Sequence, residues 1–185
     1  MSTRPQRADA RRNRERIIEA ARIVFAEQGA DAQMDDVARA AGVGVGTVYR
    51  HFPHKEALMG ELVASKFRTF ADNAEVALTV ADPWDAFAGL LRQNAETCAP
   101  DMGIQHALGR EPGAWAVALP ELERLSRLAS ELIRRGQTAG VLRADLVVDD
   151  IPMLMCGLSA TQSVPDYDWR RHLEMLLDAM RPPPR

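Results

Sequence analysis

Apolar residues recur along this chain at spacings of three and four, and the strict alternation of a half-buried strand is missing. The pattern predicts an all-α fold of about nine helices. A first helix is expected from about Ala8 to Gln28, with Ile17, Ile18, Ala21, Val24 and Phe25 as its buried stripe and Gly29 as its stop. Two short amphipathic segments follow. Met34 to Ala41 aligns Val37, Ala38 and Ala41 and carries Asp35 and Asp36 at the end where the helix dipole favours negative charge. Gly42 ends that segment, and a second opens near Gly44 with Val43 and Val48 turned inward. Lys55 begins a long helix through Leu58, Leu62, Val63, Phe67 and Phe70 to about Leu78, long enough to join two parts of the molecule. Asp82, Pro83 and Asp85 read as an N-cap, a first-turn proline and a first-turn acid, starting a helix with Trp84, Phe87, Leu91, Asn94 and Cys98 along one side.

Beyond Ala99 the pattern weakens. A short helix around Gly103 to Leu108 is expected, then a loop from Arg110 to Ala118, because Arg110, Glu111, Pro112 and Gly113 break helical periodicity. Pro120 to about Ala139 carries Leu122, Leu125, Ala129, Leu132 and Ile133, and Gly140 stops it. Two last helices are expected: Asp149 to Ser163 with Ile151, Leu154, Met155 and Leu158, and Tyr167 to Met180 with Trp169, Leu173, Leu176, Leu177 and Met180. Gly157, Ser159 and Ala160 would let another helix approach closely. The spacing leaves open whether this pair completes one chain's core or meets a second copy.

Between residues 33 and 52 the two short helices and their glycine turn have the shape of a helix-turn-helix DNA reader. The second helix turns Val45, Gly46, Thr47, Tyr49, Arg50 and His51 outward, small at the front and polar or cationic behind. A helix in the major groove needs that taper, because its first residues approach the base edges most closely. An ordinary helical hairpin would also bury its valines, so the flanking charge matters. Arg4, Arg7, Arg11, Arg12, Arg14 and Arg16 meet only Asp9 and Glu15 in the first sixteen residues, which suits an arm that touches phosphates. Residues 1–55 carry a net charge of +3 and residues 56–185 a net charge of −6, within an overall −3. A basic end on an acidic body implies a nucleic-acid surface joined to something else.

Composition narrows the alternatives. A chain of 185 residues with 46% hydrophobic residues can build a real core. No apolar run approaches the roughly 20 residues that span a bilayer, and the arginine-rich start has no apolar segment after it, so a cytoplasmic protein is expected. Cys98 and Cys156 are far apart, which argues against a disulfide framework and against a metal site, and no cofactor motif is present. An all-α enzyme would need a convergent nucleophile and base. The four histidines His51, His54, His106 and His172 are scattered, two of them in the helix-turn-helix region. A nonspecific, architectural DNA-binding protein would be basic throughout, unlike the acidic body of this chain.

From Arg14 to Lys55 the chain resembles the N-terminal DNA-binding domain of the tetracycline-repressor (TetR) family of bacterial transcriptional regulators. The resemblance rests on the segments around Ala20 to Gly29, Asp35 to Val43, Gly46 to Phe52 and Lys55 to Leu58, over about fifty residues without a gap. It implies a DNA-binding domain at residues 1–54 and an effector-binding and dimerisation domain at residues 55–185. It places Thr47 and Tyr49 at the DNA, His51 and Lys55 at phosphates, and Arg50 where sequence choice varies. Two positions depart from the family pattern. Gln33 stands where Ser or Thr usually caps the first short helix, and Val45 stands where a polar or cationic residue is frequent, favouring contact with a thymine methyl.

The same resemblance implies a homodimer through the last two helices, with Leu154, Gly157, Leu158, Trp169, Leu173, Leu176, Leu177 and Met180 as candidate interface residues. Two copies would read two half-sites about 34–36 Å apart, or multiples of that, on near-palindromic double-stranded DNA. It also implies a small-molecule effector enclosed by the middle helices. Phe67, Phe70, Trp84, Phe87, Leu91, Asn94, Cys98, Met102, His106 and Trp115 are the candidate lining, mostly apolar with a few polar groups. The same spacing also builds an ordinary core. Asn94 stands out, since a buried amide needs a partner or costs about 1–3 kcal/mol. The expected function is a sequence-specific regulator, a repressor released by its effector through movement of the long Lys55 to Leu78 helix.

Overall fold

The computed structural model describes residues 4–98, 112–162 and 164–183, and among these it has eight α-helices and no strand. They are α1 (Arg4–Gln28), α2 (Met34–Ala41), α3 (Val45–His51), α4 (Lys55–Ala77), α5 (Pro83–Cys98), α6 (Pro112–Thr138), α7 (Asp150–Gln162) and α8 (Trp169–Ala179). A 3-10 turn, Gly29–Asp31, links α1 to α2. The helix expected around Gly103 to Leu108 lies outside the described residues, as do Met102 and His106.

Several helix ends follow from local chemistry as the sequence implies. The Asp85 N–H donates to Asp82 Oδ1 at 2.8 Å, so Asp82 caps α5, and Pro83 sits at the first helical position, where its missing N–H costs nothing. Asp168 caps α8 in the same way, accepting from the Arg171 N–H at 3.0 Å. Two expectations are corrected. Helix α1 begins at Arg4 instead of about Ala8, so the helix takes in the arginine-rich segment. The loop expected from Arg110 to Ala118 is helical from Pro112 onward, and α6 runs through Pro120 instead of starting there. Pro112 occupies the first helical position, which proline favours, and the alanine-rich stretch behind it has the propensity to continue. At Pro120 the helix loses the donor that would bond the Ala116 carbonyl, a defect that more than one turn on either side absorbs.

The chain divides into two compact units, with the divisions inside α4 between Lys66 and Phe67 and inside α6 between Leu119 and Pro120. The first holds α1 to α3, the start of α4 and the start of α6. In it Ile17, Ala21, Val24 and Phe25 of α1, Val37, Ala38 and Ala41 of α2, and Leu58 and Leu62 of α4 are buried.

The second unit is built on a cluster of buried side chains. It joins Phe87, Leu90 and Leu91 of α5, Leu132 and Ile133 of α6, Leu142 and Leu146 of the following turn, Leu158 of α7, and Leu173, Leu177 and Met180 at α8. Polar contacts fasten α4 to α6 around it. Arg124 bonds Asp72 and Glu75, each at 2.8 Å, Arg68 bonds Glu121 at 3.0 Å, and Arg135 donates to the Leu78 and Val80 carbonyls just past α4. Two charge pairs join α5 to α8 in reciprocal order, Arg92 to Glu174 and Glu96 to Arg170, both with 2.7 Å contacts.

Candidate functional site

The turn before α3 is set by Gly42. Its φ of +64° is left-handed backbone that a side chain resists, and it lets the Gly42 and Val43 N–H groups return to the Arg39 and Ala38 carbonyls at 3.2 and 3.1 Å. Gly44 is extended, and its carbonyl accepts from Thr47 at 2.8 Å and Val48 at 3.3 Å, which starts α3. Val48 is fully buried and Val43 half-buried, so both turn inward as expected. At the front of α2, Gln33 is not the defect its side chain suggests. The Asp36 carboxylate accepts from the Gln33 N–H at 3.3 Å, and Gln33 Nε2 donates to the Asp31 carbonyl at 2.8 Å.

Of the residues expected at DNA, Val45, Gly46, Tyr49 and Arg50 are exposed and Thr47 and His51 half-buried, all on the seven-residue α3. Val45 is 37% and Tyr49 46% exposed. A Cβ built at Gly46 would meet no atom within 4 Å, so the packing of the described chain has no use for the missing side chain. Glycine within a helix nonetheless costs about 1 kcal/mol relative to alanine. A bare backbone at the front of an exposed helix fits something that must come close from outside. Lys55 is more constrained than expected: it is half-buried, with Nζ 5.4 Å from the centre of the Phe25 ring.

Three residues of this head make contacts that were not legible beforehand. Arg16 Nη2 donates to the Ala41 carbonyl at 2.5 Å. Arg14 pairs with the buried Glu61 at 2.7 Å and lies over the Phe52 ring at 5.3 Å. His54 Nδ1 lies 3.2 Å from the Ala57 N–H and 3.0 Å from Glu56 Oε2: without a proton it accepts from Ala57 and caps α4, and with one it donates to the Glu56 carboxylate. The Glu56 carboxyl is held below its ordinary range, first by its own backbone N–H and then by His54. Histidine caps and cross-helix arginines carry no sequence spacing of their own.

The residues expected around an effector separate. Phe87 and Leu91 are buried in the second unit's core, and Trp84 packs against it with the Arg181 guanidinium 3.6 Å from its ring centre. Phe67 and Phe70 meet edge to face at 5.9 Å. Asn94 Oδ1 accepts from Asn73 Nδ2 of α4 at 2.9 Å, so the partner that burial demands of Asn94 lies within the protein. Cys98 is buried and Trp115 is 41% exposed.

At α7 and α8 the interface expectation needs correction. Leu158, Leu173, Leu177 and Met180 are buried within this chain and cannot form its outer surface, while Leu154, Trp169 and Leu176 pack at the edge of the same core. Helical spacing showed apolar stripes without showing which of them faces inward. Of the expected residues, Gly157 is exposed. Met153 is 77% exposed on α7, with Cys156 and Gly157 exposed one turn further along, and Met175 is 61% exposed on α8. The overlooked signal was that the segment from Ile151 to Ala160 is apolar nearly all round, more than one core can cover. Met153, Leu154, Leu176, Arg143, Asp145 and Asp150 line a cleft of about 430 Å³.

Among the described residues no group of three His, Cys, Asp or Glu is placed to hold a metal ion, and no helix is long and apolar enough to cross a membrane.

Residues 17–62 match the model for bacterial regulatory proteins of the tetR family, and residues 82–182 match that for the C-terminal domain of SbtR-like transcriptional regulators. A TetR transcription regulatory protein of known crystal structure from Mycobacterium vanbaalenii is 35% identical, with 96% of this chain and 99% of that one covered and a TM-score of 0.63. The uncharacterized HTH-type transcriptional regulator TtgW of Pseudomonas putida is 39% identical over 80 residues, 43% of this chain and 60% of that protein. The chain thus spans less than two thirds of the length of the curated relatives it matches. The transcriptional regulator FadR of Bacillus subtilis, solved in complex with stearoyl-CoA, is 21% identical, with 90% and 97% covered and a TM-score of 0.74, a likeness of fold.

Proposed function

Because the chain belongs to the tetR family of bacterial regulatory proteins, we propose that it is a homodimeric transcriptional repressor whose α3 reads operator DNA and which a small-molecule effector releases. Gly46 carries the reading. Its bare backbone serves no packing in the described chain, yet it stands at the front of a helix whose exposed residues run from small and apolar to polar and cationic. In a major groove, Val45 and Gly46 would lie against base edges, Val45 favouring a thymine methyl. Thr47, Tyr49 and Arg50 would reach bases or phosphates, and His51 and Lys55 phosphates.

The exposed face of α7 and α8 supports the second copy. Met153, Cys156, Gly157 and Met175 leave apolar surface in water that a matching face would cover, with Leu154, Trp169 and Leu176 at its margin. For the effector, the Bacillus subtilis neighbour, solved in complex with stearoyl-CoA, supports a fold that admits a guest with a long acyl chain. Phe67, Phe70, Asn94 and Cys98 are the residues of this chain we assign to its site. Helix α4 has residues in both compact units, so a ligand that favours one placement of α4 would shift the population of DNA-competent dimers.

Footprinting of the DNA that flanks its own coding sequence tests this function. Protection of two related half-sites about 34–36 Å apart, or a multiple of that, is expected from a two-fold dimer. Uniform protection of any duplex would favour the architectural reading instead.

A further inference from the structure

We propose that Arg14 and Arg16 are positioning residues that grip α3 from both ends and so set how it meets DNA. The proposal rests on α3 as the reading helix. Residues two apart on a helix point to different sides, and α1 uses this to reach the segments before and after α3. In front of α3, Arg16 Nη2 lies 2.5 Å from the Ala41 carbonyl and 3.5 Å from the Gly42 carbonyl. These are the last carbonyls of α2, which helix geometry leaves short of partners and where a cation is favoured by the dipole. A Cβ on Gly42 would sit 3.1 Å from the same nitrogen. Glycine there serves the left-handed backbone and leaves room for the guanidinium.

Behind α3, Phe52 is the C-terminal cap, its N–H returning to the Val48 carbonyl at 2.8 Å. The Phe52 ring is buried, and the Arg14 guanidinium lies over it at 5.3 Å. The same guanidinium bonds Glu61 Oε2 at 2.7 Å and Oε1 at 3.3 Å, which ties α1, the end of α3 and α4 together. Two of the six N-terminal arginines are therefore engaged in holding the head, and the pairs of Arg11 with Glu15 and Arg12 with Asp9 engage two more. Cations that contact phosphate and cations that position the reader differ in what their removal does to salt dependence.

The test uses the full-length protein as wild type, Arg16→Gln, Arg16→Lys and the charge-balanced double variant Arg14→Gln with Glu61→Gln. Affinity for the protein's own flanking DNA and for a random duplex is measured across a salt series, and amide exchange at Val43 and Val48 is followed without DNA. For Arg16→Gln the preference for own DNA should fall about tenfold, as expected when base contacts are misaligned, with an unchanged salt slope. Exchange at Val43 and Val48 should quicken. Arg16→Lys, which can still donate to one carbonyl, should recover part of both effects, and the double variant should fold, lose preference and keep its slope. A slope shallower by about 0.9 in Arg16→Gln would make Arg16 a phosphate contact and overturn the proposal. So would unchanged exchange at Val43 and Val48. If the wild type shows no preference for its own DNA, the reading of α3 fails, and the exchange measurement still decides whether Arg16 grips the turn.

Discussion

Helices α3 and α7 both present residues to solvent that the fold of one chain does not use, yet their faces call for different partners. α3 shows a bare glycine, a tyrosine and an arginine over a single fully buried valine, a face that tolerates water and offers donors to an anionic surface. α7 shows Met153, Cys156 and Gly157, and α8 adds Met175, a face that water wets at a cost of about 25 cal/mol per Å². Under the proposed function the contrast separates two jobs within the chain: the polar, tapered face would meet nucleic acid, and the apolar face would meet a second copy.

The largest effect expected from this division concerns the two sides of α8. Leu177→Ala, fully buried in the second unit's core, should cost about 2–5 kcal/mol in urea unfolding, whereas Met175→Ala on the outer face should change the monomer's stability by less than about 0.5 kcal/mol. Equal losses would erase the distinction between inner and outer faces. Next, Met153→Glu should leave the fold intact but place an unpaired carboxylate in the dimer contact. Sedimentation should then show association weaker by about 2 kcal/mol or more, and an undisturbed dimer would move the interface elsewhere.

Gly46→Ala should act in opposite directions on stability and on binding. With no atom within reach of the new methyl, the head should gain up to about 1 kcal/mol of helix propensity. DNA affinity should nonetheless fall about tenfold, because the methyl occupies the closest approach to the base edges. Unaltered affinity would remove Gly46 from the contact. The smallest effect is expected at the α5 to α8 pairs. Arg92→Gln should cost less than about 1 kcal/mol, since both groups of its pair with Glu174 are well exposed. The Arg92 hydrogen bond holds the Glu174 carboxyl below its ordinary range. The pair's contribution is therefore complete above the usual glutamate pKa and is lost as pH falls through the lowered one; in Arg92→Gln that part of the acid dependence should vanish.

The same contrast explains what the sequence could tell. In the head, the residues that bury α2 and α3 lie within one or two turns of each other, so Val37, Ala38, Ala41 and Val48 follow from spacing, and Gly42 marks its own turn. The expected end of α4 and the cap at Asp82 were local too. In the second unit, packing joins residues far apart in sequence. Leu173 and Leu177 could have faced a partner or the core, and only their contact with Leu91, Leu132 and Leu158 decides. Asn73, which meets Asn94, stood out in no pattern. Arg14 and Arg16 looked like a phosphate arm because charge alone does not reveal a carbonyl 25 residues away or a glutamate 47 residues away.

Competition binding tests the central claim most directly. Full-length wild type and Tyr49→Ala are titrated, at one fixed salt concentration, with a labelled duplex from the flanking DNA against an unlabelled random duplex of equal length. The wild type should prefer its own DNA by about a thousandfold or more, and Tyr49→Ala should lose most of that preference while remaining folded and dimeric. Equal competition by the random duplex, or a Tyr49→Ala protein that discriminates as well as the wild type, would contradict the assignment of α3 as the reading surface.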